Sequence, residues 1–396
     1  MTDTDPTASG DTPDGPGPDA APALRRSPLH AATTAAGASF TDFGGWDMPL
    51  RYGSDLAEHH AVRQAAGLFD ISHMAEFGVG GAQAAAFLDA ALAADVSAIA
   101  VSRAKYTMIL AEDGGVIDDL IVYRNAEDEY LVVANAGNHD AVATALGERI
   151  HGFEATLTDA TDALALIAVQ GPVAREILAA TDELEHDDAK AIGHTLDTLP
   201  YYACMGMTFQ GRPLLVARTG YTGEDGFELY VDAATAPLLW DALLTAGAPL
   251  GLVPAGLAAR DTLRLEAGMP LYGHELGLDI QPAQAGLGRI APPKTKTADF
   301  VGRAAVGAGP AADARVLVGL AAEGRRAGRA GYAVLDGDAT VGEITSGALS
   351  PTLGHPIALA FVDPAVAAVG QTLDLDVRGS RIPARVVALP FYSRKK

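Results

Sequence analysis

Three segments of this 396-residue chain hold carboxylates or guanidinium groups where charge is expensive. In the first, Gly114-Gly115-Val116-Ile117-Asp118-Asp119-Leu120-Ile121-Val122-Tyr123, two adjacent carboxylates interrupt an apolar run. Strand side chains alternate, so Asp118 and Asp119 face opposite ways, and at least one is expected to reach a partly buried space. Burying a carboxylate is unfavourable unless it is paired or used. An edge strand with both carboxylates in water is the plainer alternative. In the second, Arg218-Thr219-Gly220-Tyr221-Thr222-Gly223-Glu224-Asp225-Gly226 forms a tight loop before the predicted strand Phe227–Val231. A turn explains the glycines but not Glu228 among apolar neighbours. In the third, Arg260 and Arg264 lie one turn apart on a predicted helix over 255–267. They could pair locally with Asp261 or Glu266, or one could be buried to hold a carboxylate such as Glu228.

Other chemistries lack their residues. No GxxxxGK[ST] loop, no GxGxxG after a strand and no HExxH spacing occurs. His59 and His60 are adjacent, whereas His73, His274 and His355 are isolated, so no metal is expected. Cys204 is the single cysteine, which excludes an internal disulfide and fits a small core residue. The formal charge of -22 disfavours nucleic acid as a partner. No run is long and apolar enough to suggest a membrane span; Asp89 and Asp95 interrupt the nearest, Ala82–Ala100.

These side chains need elements to position them. Strands are predicted at Glu76–Val79, Lys105–Leu110, Val116–Arg124, Tyr130–Ala134 and Leu164–Val169. Helices are predicted over 81–92, after Asn138 as a plausible N-cap, after Gln170-Gly171-Pro172, and over 235–246. Strands with helices on one side suggest an α+β fold. After about residue 300 come short strands, Val316–Leu320, Gly331–Leu335, Val341–Thr345, Ile357–Phe361, Thr372–Val377 and Ala384–Ala388. Leu373, Leu375 and Val377 alternate with Asp374 and Asp376, so a small barrel or sandwich is expected. Residues 301–396 carry a net charge of +3 and the remainder -25, so the last quarter could dock an acidic partner. Residues 1–22 hold five Asp, no basic residue and no aromatic. A disordered acidic tail over 1–26 is expected, with neither secretory nor transit features.

The three segments, together with Phe40–Tyr52 (FxxFGGWDMPLRY), Gly67–Met74 (GLFDISHM), Arg264–Leu276, Gly342–Val362 and Pro390–Tyr392 (PFY), resemble the T-protein family of the glycine cleavage system. The resemblance runs from about Ser27 to Tyr392. It implies a folate-binding part over 27–298 made of two ferredoxin-like units, and a C-terminal β-barrel over 299–396. It implies a cytoplasmic aminomethyltransferase. The aminomethyl carbon would pass from the lipoyl arm of H protein to tetrahydrofolate, yielding ammonia and 5,10-methylenetetrahydrofolate. By the same resemblance Asp119 is the catalytic carboxylate, Glu228 binds the pterin and Arg260 is the pocket arginine. Met74, Tyr106, Asn135 and Tyr392 are further folate contacts. Gly268-Met269 departs from relatives with an aromatic there, which affects one wall of the pocket.

Relatives of the same fold transfer methyl groups from a sulfonium, or form part of dimethylglycine- and sarcosine-oxidising enzymes. Other folate-binding relatives assist iron–sulfur assembly through a KGCYxGQE-type segment. The matching stretch here, RTGYTGEDG, has no cysteine.

Overall fold

The computed structural model describes residues 23–187, 194–290 and 296–394. Most of the expected tail, residues 1–22, lies outside the described residues. The fold takes in Arg25, ahead of the boundary expected after residue 26: its N–H donates to Gly45 O, its carbonyl accepts from Asp47 N, and its guanidinium lies 4.1 Å from the Trp46 ring centroid.

Two sheets carry the site, one antiparallel and one mixed. In the five-stranded sheet the spatial order is Arg103–Leu110, Val116–Ala126, Glu129–Ala134, Ala75–Gly80, Thr156–Asp159. Helices Ala84–Ala91 and His139–Arg149 pack on one face, giving a βαββαβ unit with Arg103–Leu110 as an added edge. The seven-stranded sheet repeats the plan with Leu164–Gln170, helix Ala174–Ala180, Arg212–Ala217, Gly226–Asp232, helix Ala236–Gly247 and Leu252–Pro254. One strand from earlier in the chain, Ala66–Asp70, is wedged into it, parallel to Leu252–Pro254 and antiparallel to Leu164–Gln170. Its five residues are all buried, as a strand covered on both faces requires.

Each sheet covers its helices with one apolar face and turns the other towards its counterpart. Phe69, Ile71, Tyr123, Val133, Leu166 and Tyr230 fill part of the space between. At one edge the sheets are stitched by backbone bonds: Ala104 N–H donates to Tyr202 O and Cys204 N–H to Ser102 O, each at 2.9 Å.

Six C-terminal strands close into a barrel. Leu373, Leu375 and Val377 point into its core while Asp374 and Asp376 stay half-exposed, as the alternation predicts. The barrel docks on helix Leu257–Glu266, where Leu265 packs against Ala348, Ile357 and Leu359.

Candidate active site

Between the facing sheets lies a cavity of about 340 Å³. Strand Val116–Ala126 delivers the carboxylate pair to it, and its alternation separates their roles. Asp119 lines the cavity, whereas Asp118 is fully buried behind it. Tyr106 O–H donates to Asp119 Oδ2 at 2.9 Å, and Asn135 Nδ2 donates to Asp119 Oδ1 at 2.9 Å. The same Asn135 amide donates to Asp118 Oδ1 at 2.8 Å, so one side chain bridges both carboxyls. Burial lifts both acids above the usual carboxylate range. Asp118, pressed also by the charge of Asp119, is pushed up to about 7, against the pull of its hydrogen-bond donors.

Opposite stands Glu228, 7% exposed, on strand Gly226–Asp232. Thr219 O–H donates to its Oε2 at 2.5 Å, and the Tyr123 hydroxyl approaches the same oxygen at 3.4 Å. Burial raises this carboxyl too, while Thr219 and the positive charge of Arg260 pull it back. The glycine loop explains Thr219's position. It closes round the buried Gln170 side chain, whose Nε2 donates to Thr219 O and whose Oε1 accepts from Thr222 O–H. A Cβ on Gly220 would stand 2.0 Å from Gln170 Oε1, so a larger residue there would have to displace the Gln170 amide that braces the loop.

Arg260 lines the cavity with its guanidinium 4.9 Å from the Tyr221 ring centroid. It has no hydrogen-bonded acceptor among the described residues. A partly buried cation with no protein acceptor on a cavity wall favours an anionic or carbonyl-bearing ligand. Arg264, one turn on, does something else: it is buried, paired with Glu275 at 3.1 Å and Asp261 at 2.8 Å. His73 also lines the cavity, and its Nδ1 is buried without a partner. Burial, aided by Arg260, pushes the imidazole down to about 3, so it is neutral at physiological pH.

Six residues singled out from the sequence thus converge on the cavity: Met74, Tyr106, Asp119, Asn135, Glu228 and Arg260. Tyr392 is not in its lining. Its ring lies 4.0 Å from the Arg63 guanidinium, and its N–H donates to Glu266 O. Gly268 and Met269 do form part of the wall. Sequence reasoning missed His73 and the rings of Tyr202, Tyr221 and Tyr272, although all but Tyr202 sit inside recognised segments. Asn138 is the clearest departure. It precedes helix His139–Arg149 but makes no side-chain cap, donating to Asp118 instead.

Residues 29–295 match the model of the GCVT N-terminal domain, and residues 315–393 that of the glycine cleavage T-protein C-terminal barrel domain. This chain belongs to the glycine cleavage T-protein family. It is 56% identical to the aminomethyltransferase of Cutibacterium acnes over 371 residues, covering 94% of this chain and 99% of that protein. Identity to the aminomethyltransferase of Streptomyces avermitilis is also 56%, with the same coverage. Among solved structures, the glycine cleavage system aminomethyltransferase T from Bartonella henselae superposes with a TM-score of 0.83 at 36% identity, covering 93% of this chain and 98% of that one. The chain is an aminomethyltransferase. No helix among the described residues is long and apolar enough to cross a membrane.

Proposed function

We propose that the cavity binds tetrahydrofolate and receives the aminomethyl carbon from the lipoyl arm of H protein, releasing ammonia and 5,10-methylenetetrahydrofolate. One observation carries this reading: two carboxylates, Asp119 and Glu228, face a cavity lined by aromatic rings and a guanidinium without an acceptor. The residues fit the group. A pterin offers an N–H and an NH₂ side by side, which a carboxylate can accept together, and Glu228 Oε1 has no donor among the described residues. When bound, tetrahydrofolate supplies the nitrogens that take up the carbon. Asp119 places negative charge where cationic character develops and can accept the released proton. Tyr106 and Asn135 hold that carboxylate in place.

In this reading the folate-binding part runs from about Arg25 to residue 298, the barrel spans 299–396, and the enzyme is cytoplasmic. Iron–sulfur assembly is disfavoured by Cys204, the single thiol, which is buried with its pKa pushed up to about 12. Assaying methylenetetrahydrofolate formation with lipoylated H protein tests the proposal. Absence of folate-dependent product would overturn it, and methyl transfer from a sulfonium in its place would support the related reading.

Two smaller results are expected. Glu228→Gln puts a donor against the pterin's own donors and should weaken folate binding by about 2–3 kcal/mol. Calorimetry showing unchanged affinity would remove Glu228 from the pocket. Arg325 and Arg326 are exposed on the basic barrel and are proposed to meet H protein. Reversing both to Glu should raise the apparent KM for H protein and leave folate affinity alone. Docking should also weaken with salt, since exposed charges are screened beyond about 8–10 Å; salt-independent association would sink the docking idea.

A further inference from the structure

Glu228 is backed by a chain of hydroxyls. Thr219 O–H donates to its Oε2 at 2.5 Å, Tyr123 Oη lies 3.0 Å from Thr219 Oγ1, and Tyr230 O–H donates to Tyr123 Oη at 2.9 Å. A hydroxyl has one proton to donate. Thr219 gives its proton to Glu228, so Tyr123 must donate to Thr219, and Tyr230 in turn to Tyr123. Burial holds both phenols far above their ordinary range, so neither loses the proton this order requires. The chain therefore runs one way and ends on Oε2, leaving Oε1 without a donor among the described residues. Tyr123 and Thr219 are fully buried and absent from the cavity wall, so neither reaches a ligand directly. The chain also joins the two sheets. Tyr123 stands four residues past Asp119 on strand Val116–Ala126, and alternation puts both on the face turned to the other sheet, where Glu228 sits.

We infer that Tyr123 and Thr219 are positioning residues for folate: from the strand that carries Asp119, they fix the Glu228 carboxylate in the orientation that takes the pterin's paired donors. This rests on the folate-binding reading above. Hydrogen bonds in such a chain reinforce one another, and a carboxylate already held in place loses less freedom when the ligand arrives. Removing a link should therefore weaken binding. Asp119 keeps its own donors, Tyr106 and Asn135, so turnover at saturating folate should hold.

Tyr123→Phe keeps the ring that packs edge-on to Tyr230 and removes only the hydroxyl. Calorimetry with tetrahydrofolate should show Kd raised about five- to tenfold, the scale of one net hydrogen bond, with kcat changed less than about twofold. Thr219→Val should act alike, and Thr219→Ser, which keeps the hydroxyl, should stay within about twofold of wild type. The same changes are then made in a Glu228→Ala background, where no carboxyl is left to orient. There Tyr123→Phe or Thr219→Val should alter Kd less than about twofold further. A merely structural role would lower the melting temperature and raise Kd equally in both backgrounds. That outcome, or an unchanged Kd in the folded single variants, overturns the proposal; if Tyr123→Phe fails to fold, Thr219→Val decides by the same criterion. Glu228→Ala that binds tetrahydrofolate as tightly as wild type, or wild type that does not bind it, would instead indict the underlying reading.

Discussion

Asp119→Asn is expected to cut turnover by about 10²-fold or more while changing folate affinity only a few-fold. Asn keeps the shape, and its carbonyl oxygen can still accept from Tyr106 or Asn135. What disappears is the charge, which matters only once positive character develops on the reacting groups. The loss therefore falls on kcat and not on ground-state binding. Asp118→Asn should read differently. Its new NH₂ would confront donors from Asn135 and Asn138, so the melting temperature should drop while most activity remains in the folded fraction. Turnover, folate calorimetry and thermal melts on both variants separate the cases. An active Asp119→Asn beside a dead, folded Asp118→Asn would place the working carboxylate one residue away. If both stay active, proximity alone must carry the reaction.

That the pair divides its labour was legible from alternation alone, because a charge inside an apolar strand is conspicuous and the side-chain period is two. Strand Thr372–Val377 was legible for the same reason. Strand Ala66–Asp70 was not predicted: buried on both faces, it shows no alternation, and its neighbours in the sheet come from more than ninety residues away. Asn138 was read as a cap because Asn before a helix usually caps it. Only the register that brings strand Glu129–Ala134 beside Val116–Ala126 reveals Asp118 as its partner. The resemblance supplied the charged residues Asp119, Glu228 and Arg260 of the cavity, but geometry shows how Asn135 and Thr219 hold the carboxylates.

Glu266 marks the other limit of local reasoning, and its removal should be the most damaging substitution to stability. Its sequence neighbours suggested a pair with Arg260 or Arg264. The side chain instead turns from helix Leu257–Glu266 towards Arg63 and the barrel. Arg63 donates to Oε2 through Nε at 3.1 Å and Nη2 at 2.7 Å; Ser350 O–H and Thr352 N–H donate to Oε1 at 2.5 and 3.0 Å; Thr352 O–H donates to Oε2 at 2.7 Å. Fully buried, the carboxylate ties two helices of the folate-binding part to the barrel. Glu266→Ala leaves those donors facing a void and should cost about 3–5 kcal/mol. For a chain of this size that is a fall of about 5 °C in melting temperature. Burial alone would raise the Glu266 carboxyl, but His59, whose Nε2 lies 3.3 Å from Oε2, together with Ser350 and Arg63 holds it at about 2, below its ordinary 4.5. The unfolded chain therefore binds the proton more tightly. The contribution, about 3 kcal/mol, is complete above the ordinary value and is lost as pH falls towards about 2. The gap in melting temperature between wild type and Glu266→Ala should accordingly narrow between about pH 5 and pH 3. A gap that stays constant over that range would mean the carboxylate is not held by its charge, and that the barrel docks chiefly through Leu265 and its apolar neighbours.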